Sequence, residues 1–466
     1  MLLLFVHGWS VTNTETYGQM PELIAARANA AGLEIEIQHI YLGRYISFDD
    51  EVTMNDVVRA FDTALRNDIP VNKRLTKSFS CITHSTGGPV VREWIEHYYP
   101  GGKGCPLDHL IMLAPANHGS PLATLGKARV GRIKAFVNGV EPGTKILDWL
   151  SLGSEEQWEL SEKYLTCDYP NQGVYPFVLT GQTIDNKLYD FLNRYLVEEG
   201  SDGVVRASGA NMNYTMITLT EDHKDVPVKV RQGWDTLSVR PLVPQEPHSP
   251  QPSPFGVVPN ASHSGDKIGI MLSPTTANSN QRPVINRIMN CLKVTTPDAY
   301  SKSISAFKRL TTETQRDELD GQRYTTLTFR IRDDAGNPIN DYDLFLLGGP
   351  NFKPDKLPKG FYVDDQQNKL HKNHLIYYVN YDVMTRKNTN LGIRVVARPK
   401  DGLAYYQPVE FKSDSLKLSK FFQPNQTLYI DIVIHRRVKR DVFRLDDATK
   451  DRVDFKKGPR SKEEID

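Results

Sequence analysis

Ser85 stands in Phe79-Ser80-Cys81-Ile82-Thr83-His84-Ser85-Thr86-Gly87-Gly88-Pro89-Val90-Val91-Arg92, where a short apolar run breaks at a serine followed by two glycines and then a helical pattern. A serine hydroxyl is a weak nucleophile in water. Chemistry at Ser85 therefore requires a sharp strand-to-helix turn that presents the oxygen to a base on one side and to backbone N–H groups on the other. Gly87 and Gly88 suit such a turn, because strand and helix backbones approach closely there and leave no room for side chains. The usual pattern is G-x-S-x-G, and here the first position is Thr83. A serine before Gly-Gly also occurs in ordinary loops, so the motif alone leaves both readings open.

A second feature bears on the same chemistry. The sequence opens Met1-Leu2-Leu3-Leu4-Phe5-Val6-His7-Gly8-Trp9-Ser10, an apolar run leading into His-Gly. An acyl-transfer site needs two N–H donors for the oxyanion, one from a loop after an early strand and one from the residue after the nucleophile. The candidates are Trp9 and Thr86. Each such donor contributes about 3 kcal/mol to the transition state. The plainer reading is a buried strand followed by a turn. A signal peptide is not expected, since the run is short, lacks a basic flank and has no small-residue cleavage site after it. The chain is accordingly expected to be cytoplasmic as synthesised, with any export by a signal-independent route.

The serine also needs a histidine base and a carboxylate to orient it, which in one known chain order follow as Ser, Asp or Glu, His. Val174 to Gly181 reads as a buried strand ending in a turn, followed by Glu199-Gly200-Ser201-Asp202-Gly203-Val204-Val205. Asp202 is the expected acid, against the alternative of a simple Asp-Gly turn. Asp185 and Asp190 are rivals on an amphipathic stretch. Tyr214 to Leu219 is the expected next strand, with the base after it. His263 lies in Asn260-Ala261-Ser262-His263-Ser264-Gly265-Asp266, just before a helical segment from Val284 to Leu292, and is the expected base. His248 sits among prolines and His223 in a charged turn. His84 adjoins the serine, but neighbours at an elbow point in different directions, so it is expected to pack beneath the turn.

These segments, together with Ala114-Pro115-Ala116-Asn117-His118-Gly119-Ser120-Pro121, resemble the serine lipases of the α/β-hydrolase superfamily. The group most similar in feel contains the lipases, cholesterol acyltransferases and GPI-inositol deacylases. Antibacterial phospholipase effectors of type VI secretion share the pattern. The resemblance spans roughly residues 1 to 295. It implies a carboxylester hydrolase acting on lipids, a phospholipase A or lipase working through an acyl-enzyme at Ser85, His263 and Asp202. It also implies no metal or other cofactor, and places His7, Gly8, His84 and Asn117 on the substrate-binding side of the site. A lipid or phospholipid substrate, contact with a membrane surface and a cognate inhibitor protein are the implied partners. A thioesterase or small-molecule esterase with the same triad, and a non-catalytic binding protein on the same scaffold, are the alternatives.

The elements that must position these groups alternate between strand and helix. Leu2 to Val6, Glu34 to Tyr41 and the run before Ser85 read as strands. Glu22 to Ala31 and a helix capped by Thr53 and Asp56 lie between them. This predicts a largely parallel, doubly wound sheet whose loops meet at one edge. Within a catalytic domain over 1–297, a helical cap is expected at about 119–170 and a Pro-rich lid at about 226–259. Period-two runs after Pro297 predict an antiparallel, β-sandwich-like accessory domain over 298–441, and 442–466 reads as a charged tail.

At 466 residues the chain has ample material for such a core, and its net charge of +1 implies no bulk attraction to nucleic acid. The four cysteines lack metal-site spacing and read as reduced thiols. His371 and His374 near Asp364 and Asp365, and Glu221, Asp222 and Asp225, are faint cation hints whose plainer reading is solvated surface.

Overall fold

The computed structural model describes residues 1–7, 16–47, 49–68, 78–126, 143–185, 198–222, 228–232, 235–386, 390–413 and 420–439. Its strands are β1 Leu2–His7, β2 Glu36–Tyr41, β3 Phe79–His84, β4 Leu107–Leu113, β5 Tyr175–Thr180, β6 Tyr214–Glu221, β7 Val228–Gln232, β8 Asp235–Pro244 and β9 Phe255–Val257. They continue as β10 Tyr324–Asp333, β11 Tyr342–Leu347, β12 Tyr362–Gln367, β13 His374–Asn380, β14 Gly392–Ala397, β15 Ala404–Tyr405, β16 Val409–Lys412, β17 Thr427–Ile434 and β18 Arg437–Val438. The helices that matter here are α1 Met20–Ala30, α2 Met54–Asp68, α3 Gly87–Tyr98, α4 Pro121–Gly126, α5 Thr144–Leu150, α6 Glu155–Tyr164, α7 Ala207–Ala210, α8 Pro283–Leu292 and α9 Pro297–Glu318.

The first sheet has the order β2-β1-β3-β4-β5-β9, and every neighbouring pair runs parallel. Strand β1 shows why. All its residues are buried, the pattern of a strand covered on both faces. Leu2, Leu4 and Val6 enter one apolar cluster with Val90, Trp94 and Met112, whereas Leu3 and Phe5 enter another with Ile24, Ile111 and Phe177. The alternation of a strand thus divides the core into two layers. On the first, the Trp94 indole of α3 packs edge-on against Phe61 of α2 and donates to Asp62 at 3.1 Å. Helix α2 begins with the expected reciprocal cap. Thr53 N–H donates to the Asp56 carboxylate at 3.1 Å, and Asp56 N–H returns to the Thr53 hydroxyl at 3.3 Å.

The second sheet runs β11-β14-β16-β8-β6-β17-β10-β13-β12, with β7 beside β8. It is mixed: β10, β17 and β6 lie parallel, as do β16 and β8, while the other pairs are antiparallel. Ile217, Phe329, Leu346, Ile393 and Ile430, drawn from strands across its width, share one apolar cluster. The sheet therefore curls around its own core and does the work of two facing layers. Strand β17 is buried on both sides. Leu428, Ile430 and Ile432 point into that core, and Tyr429 points the other way into the first domain's cluster.

Three expectations change. The strand from Tyr214 forms, but it joins the second sheet between β8 and β17, because Ile217 and Leu219 belong to that sheet's core. The Pro-rich 226–259 stretch is not a lid in its described part. Strands β7 and β8 pair as a hairpin, β8 buries Val239 and Leu242, and Phe255–Val257 edges the first sheet beside β5. The change of character at 297 is likewise no clean boundary. Helix α9 buries Tyr300, Phe307 and Leu310 in the first domain's core, while β6, β7 and β8 belong to the second sheet. The charged tail, 442–466, lies outside the described residues. No described helix is long and apolar enough to cross a membrane.

Candidate active site

Parallel strands put the loops after β3, β4 and β5 at one edge, and Ser85 projects from that edge. Its φ of +52° is left-handed backbone, costly for any residue with a side chain, at about 1–3 kcal/mol. The turn is held by Ser85 N–H donating to Leu113 O at 3.0 Å and Gly88 N–H donating to Ser85 O at 3.2 Å. Both glycines have steric reasons. A Cβ on Gly88 would stand 2.7 Å from Cβ of Pro115, and one on Gly87 would stand 3.3 Å from Cβ of Thr83. Thr83 can replace the first glycine of the usual pattern because Gly87 leaves its side chain space.

His263 Nε2 lies 3.0 Å from Ser85 Oγ, and His263 Nδ1 lies 3.0 Å from Asp202 Oδ2. The other carboxylate oxygen, Oδ1, accepts the N–H groups of Val204 at 3.0 Å and Val205 at 2.8 Å. These bonds fix the carboxylate plane. With Nδ1–H donating to Asp202, Nε2 is left as the acceptor for the serine proton. The loop carrying His263 is tied to the loop carrying Asp202, since His263 N–H donates to Asp202 O at 3.1 Å. It is also tied to the end of β5, where Thr183 N–H donates to Ala261 O at 3.1 Å and a Cβ on Gly181 would overlap Ala261 O.

Thr86 begins the turn into α3, directly after the nucleophile, at the end of the helix whose backbone dipole favours negative charge. Trp9 and Gly8 lie outside the described residues. So do His223 and Asp190, whereas His248 is exposed and pairs through its backbone with Met216. Asp185 faces Gly265 in the His263 loop.

Three of the four substrate-side assignments need correcting where the residues are described. His7 is buried and its Nε2 meets His39 Nδ1 at 2.9 Å, so this nitrogen is taken up within the sheet. Burial, reinforced by His39, lowers its pKa to about 3. His84 turns back under the site. Its Nε2–H donates to the backbone carbonyl of His263 at 2.9 Å, and burial and His263 lower its pKa to about 3. Asn117 is fully buried, accepting from Arg92 Nη1 at 3.2 Å and donating to Ala210 O at 2.8 Å, so it cross-links α3 to α7 beneath the site.

Asp225 lies outside the described residues, and His374, Asp364 and Glu221 among the faint cation hints make protein contacts. His374 Nδ1–H donates to Gly153 O at 2.7 Å with Nε2 3.0 Å from Glu155, and Asp364 bonds Arg206 at 2.9 Å. Glu221 pairs with Arg240 and Arg437. All four cysteines are free thiols. Sequence reasoning missed Arg92 and Arg206. Both are buried arginines; Arg92 interrupts the apolar face of α3, and that conflict with hydrophobic patterning was the available signal there.

No family model and no curated protein matches the chain. Among solved structures, phospholipase PlaB from Legionella pneumophila is 43% identical over 97% of both chains, with a TM-score of 0.86. The same enzyme in complex with thio-NAD is 41% identical over the whole of both chains, also at 0.86. The Bacillus licheniformis lipase BlEst2 is far more distant, 18% identical over 45% of this chain and 78% of its own, with a TM-score of 0.33. The likeness to type VI secretion effectors finds no support in these comparisons. At such identity over nearly its whole length, and with the parallel sheet of an α/β-hydrolase fold, the chain belongs to the family of the phospholipase PlaB.

Proposed function

We propose that this protein is a phospholipase of the A type, cleaving an acyl ester of a membrane phospholipid through Ser85, His263 and Asp202. The observation that carries the reading is the continuous hydrogen-bonded line Ser85 Oγ to His263 Nε2, then His263 Nδ1 to Asp202 Oδ2, each step 3.0 Å. Family membership supports the lipid ester as substrate.

In the first half-reaction Ser85 Oγ attacks the acyl carbonyl carbon while its proton passes to His263 Nε2. Asp202, still ionised, stabilises the imidazolium that forms. The carbonyl oxygen becomes an oxyanion facing the N–H of Thr86, and a second donor from the loop at Trp9 completes the hole in this reading. Collapse expels the lysophospholipid alkoxide, which takes the proton back from His263, and leaves the acyl chain on Ser85. Water then repeats the sequence in the second half-reaction: His263 accepts its proton, hydroxide adds to the acyl carbon, and fatty acid leaves as Ser85 regains its hydrogen.

The test is lipid mass spectrometry on mixed phospholipid vesicles incubated with the purified protein and with Ser85→Ala. The expected products are free fatty acid and lysophospholipid in equal amounts, absent with the variant. Diacylglycerol as the main product, or turnover undiminished in Ser85→Ala, would overturn the proposal.

A further inference from the structure

The loop that carries Asp202 is clamped by the second sheet. It closes on itself through Asp202 N–H to Val205 O at 3.2 Å and Ala207 N–H to Gly200 O at 2.9 Å, with Asp202 at the tip and Arg206 at the base. Arg206 is 1% exposed. It forms a two-pronged pair with Glu198, Nε to Oε2 and Nη2 to Oε1, both at 2.6 Å, and Nη2 reaches Asp364 of β12 at 2.9 Å. The guanidinium lies over the ring of Tyr378 on β13, 4.3 Å from its centroid. Tyr378 in turn donates its hydroxyl to Glu199 O at 2.8 Å. Further along, Ser208 meets the Thr326 hydroxyl of β10 at 2.7 Å, and Thr427 of β17 donates to Ser208 O at 3.1 Å. Gly200 shows how close the fit is, since a Cβ there would stand 2.7 Å from both the Tyr324 ring and the Tyr378 hydroxyl.

Four strands of the second sheet therefore grip the segment that begins just before the acid and ends just after it. An arginine fork buried between two carboxylates and an aromatic face has little freedom. The geometry points to Arg206, held by Asp364 and Tyr378, as a positioning residue for Asp202, so that the second sheet is a working part of the catalytic centre and no separable docking module. The inference rests on the proposed triad.

The test uses the full chain, a soluble p-nitrophenyl ester and a fluorophosphonate to titrate reactive serines, first with the wild type and then with Arg206→Lys and Asp364→Asn. A misplaced orienting acid slows proton transfer without weakening ester binding, and a displacement of about 1 Å costs up to about 100-fold. The expected result is kcat per titrated serine at least about tenfold lower in either variant, with KM unmoved. A merely structural role would reduce the number of titratable serines and leave kcat per serine unchanged, and that outcome overturns the inference. Should Arg206→Lys fail to fold, Asp364→Asn, at a side chain 34% exposed, carries the same reading. A wild type that is neither labelled nor active would refute the triad itself. An active, labelled wild type with unaffected variants refutes only the role of Arg206.

Discussion

His84 Nε2–H donates to the backbone carbonyl of His263 at 2.9 Å, and the two rings lie 4.7 Å apart. The residue before the nucleophile thus holds the main chain of the base. Because a carbonyl only accepts, His84 must keep its proton on Nε2, and its lowered pKa, about 3, keeps the ring neutral over the working range. His84→Phe keeps the bulk and loses the donor. It is expected to lower kcat by up to about 100-fold through displacement of His263 while KM stays put. Steady-state kinetics with active-site titration checks this, and an unchanged kcat would show the bond to be incidental.

Asp202 accepts from three N–H groups, two on the backbone and one on the imidazole, so it acts as an acceptor only. Asp202→Asn preserves shape but replaces one acceptor oxygen with a donor. If the backbone N–H groups keep the remaining oxygen, the amide NH2 faces His263 and forces the proton onto Nε2, where the serine needs an acceptor. The expected loss in kcat is about 10⁴-fold, by analogy with the same change in chymotrypsin-type proteases. Thermal unfolding should move little. A loss below tenfold would mean that a different carboxylate orients His263.

The parallel sheet and the residues at its edge were legible in the sequence because each left a local mark. Leu2 to Val6 alternates between two apolar layers, Thr53 and Asp56 cap a helix, and Gly87-Gly88 follows Ser85. The partition between sheets was not legible. Tyr214 to Leu219 has the same apolar alternation whether it lies beside β5 or beside β17, and only long-range packing of Ile217 and Leu219 decides. Prolines at 241 and 244 disguised a strand as a loop, though Pro244 stands at the end of β8. His7, His84 and Asn117 were expected on the substrate side, but which way each side chain turned depended on partners up to 179 residues away in sequence.

Acid should destabilise the fold through its buried histidines. His7, His84 and His118 all have pKa values lowered from 6.5 to about 3, chiefly by burial. Between those limits the unfolded chain binds protons that the native state refuses, so stability is greatest above pH 6.5 and falls as pH drops toward 3. Each group contributes on the order of 1 kcal/mol per pH unit within that window. His118, which accepts from Tyr429 and donates to Asn211 O, is the cleanest to remove. Urea unfolding at pH 7, 6 and 5 should show a shallower acid dependence for His118→Gln than for the wild type. Equal slopes would count against the assignment.

The elbow itself makes a paired prediction. A Cβ on Gly88 would press on Pro115 Cβ at 2.7 Å and on Met112 Sδ at 3.2 Å; the thioether can give way, but the ring of Pro115 in the turn after the central strand β4 cannot. Gly88→Ala is expected to cost about 1–3 kcal/mol and to reduce activity by shifting Ser85. Gly87→Ala, where the nearest atom is Thr83 Cβ at 3.3 Å, should cost less. Thr83 tests the same spot from the other side. It is fully buried, and its hydroxyl finds no partner among the described residues, so Thr83→Val removes an unsatisfied polar group at nearly constant shape. That change should leave stability equal or raise it by about 1 kcal/mol, with activity retained. Denaturant unfolding of the three variants checks the order Thr83→Val, Gly87→Ala, Gly88→Ala from most to least stable; a Thr83→Val protein less stable than Gly88→Ala would show that the hydroxyl is bonded after all and that the turn depends on it.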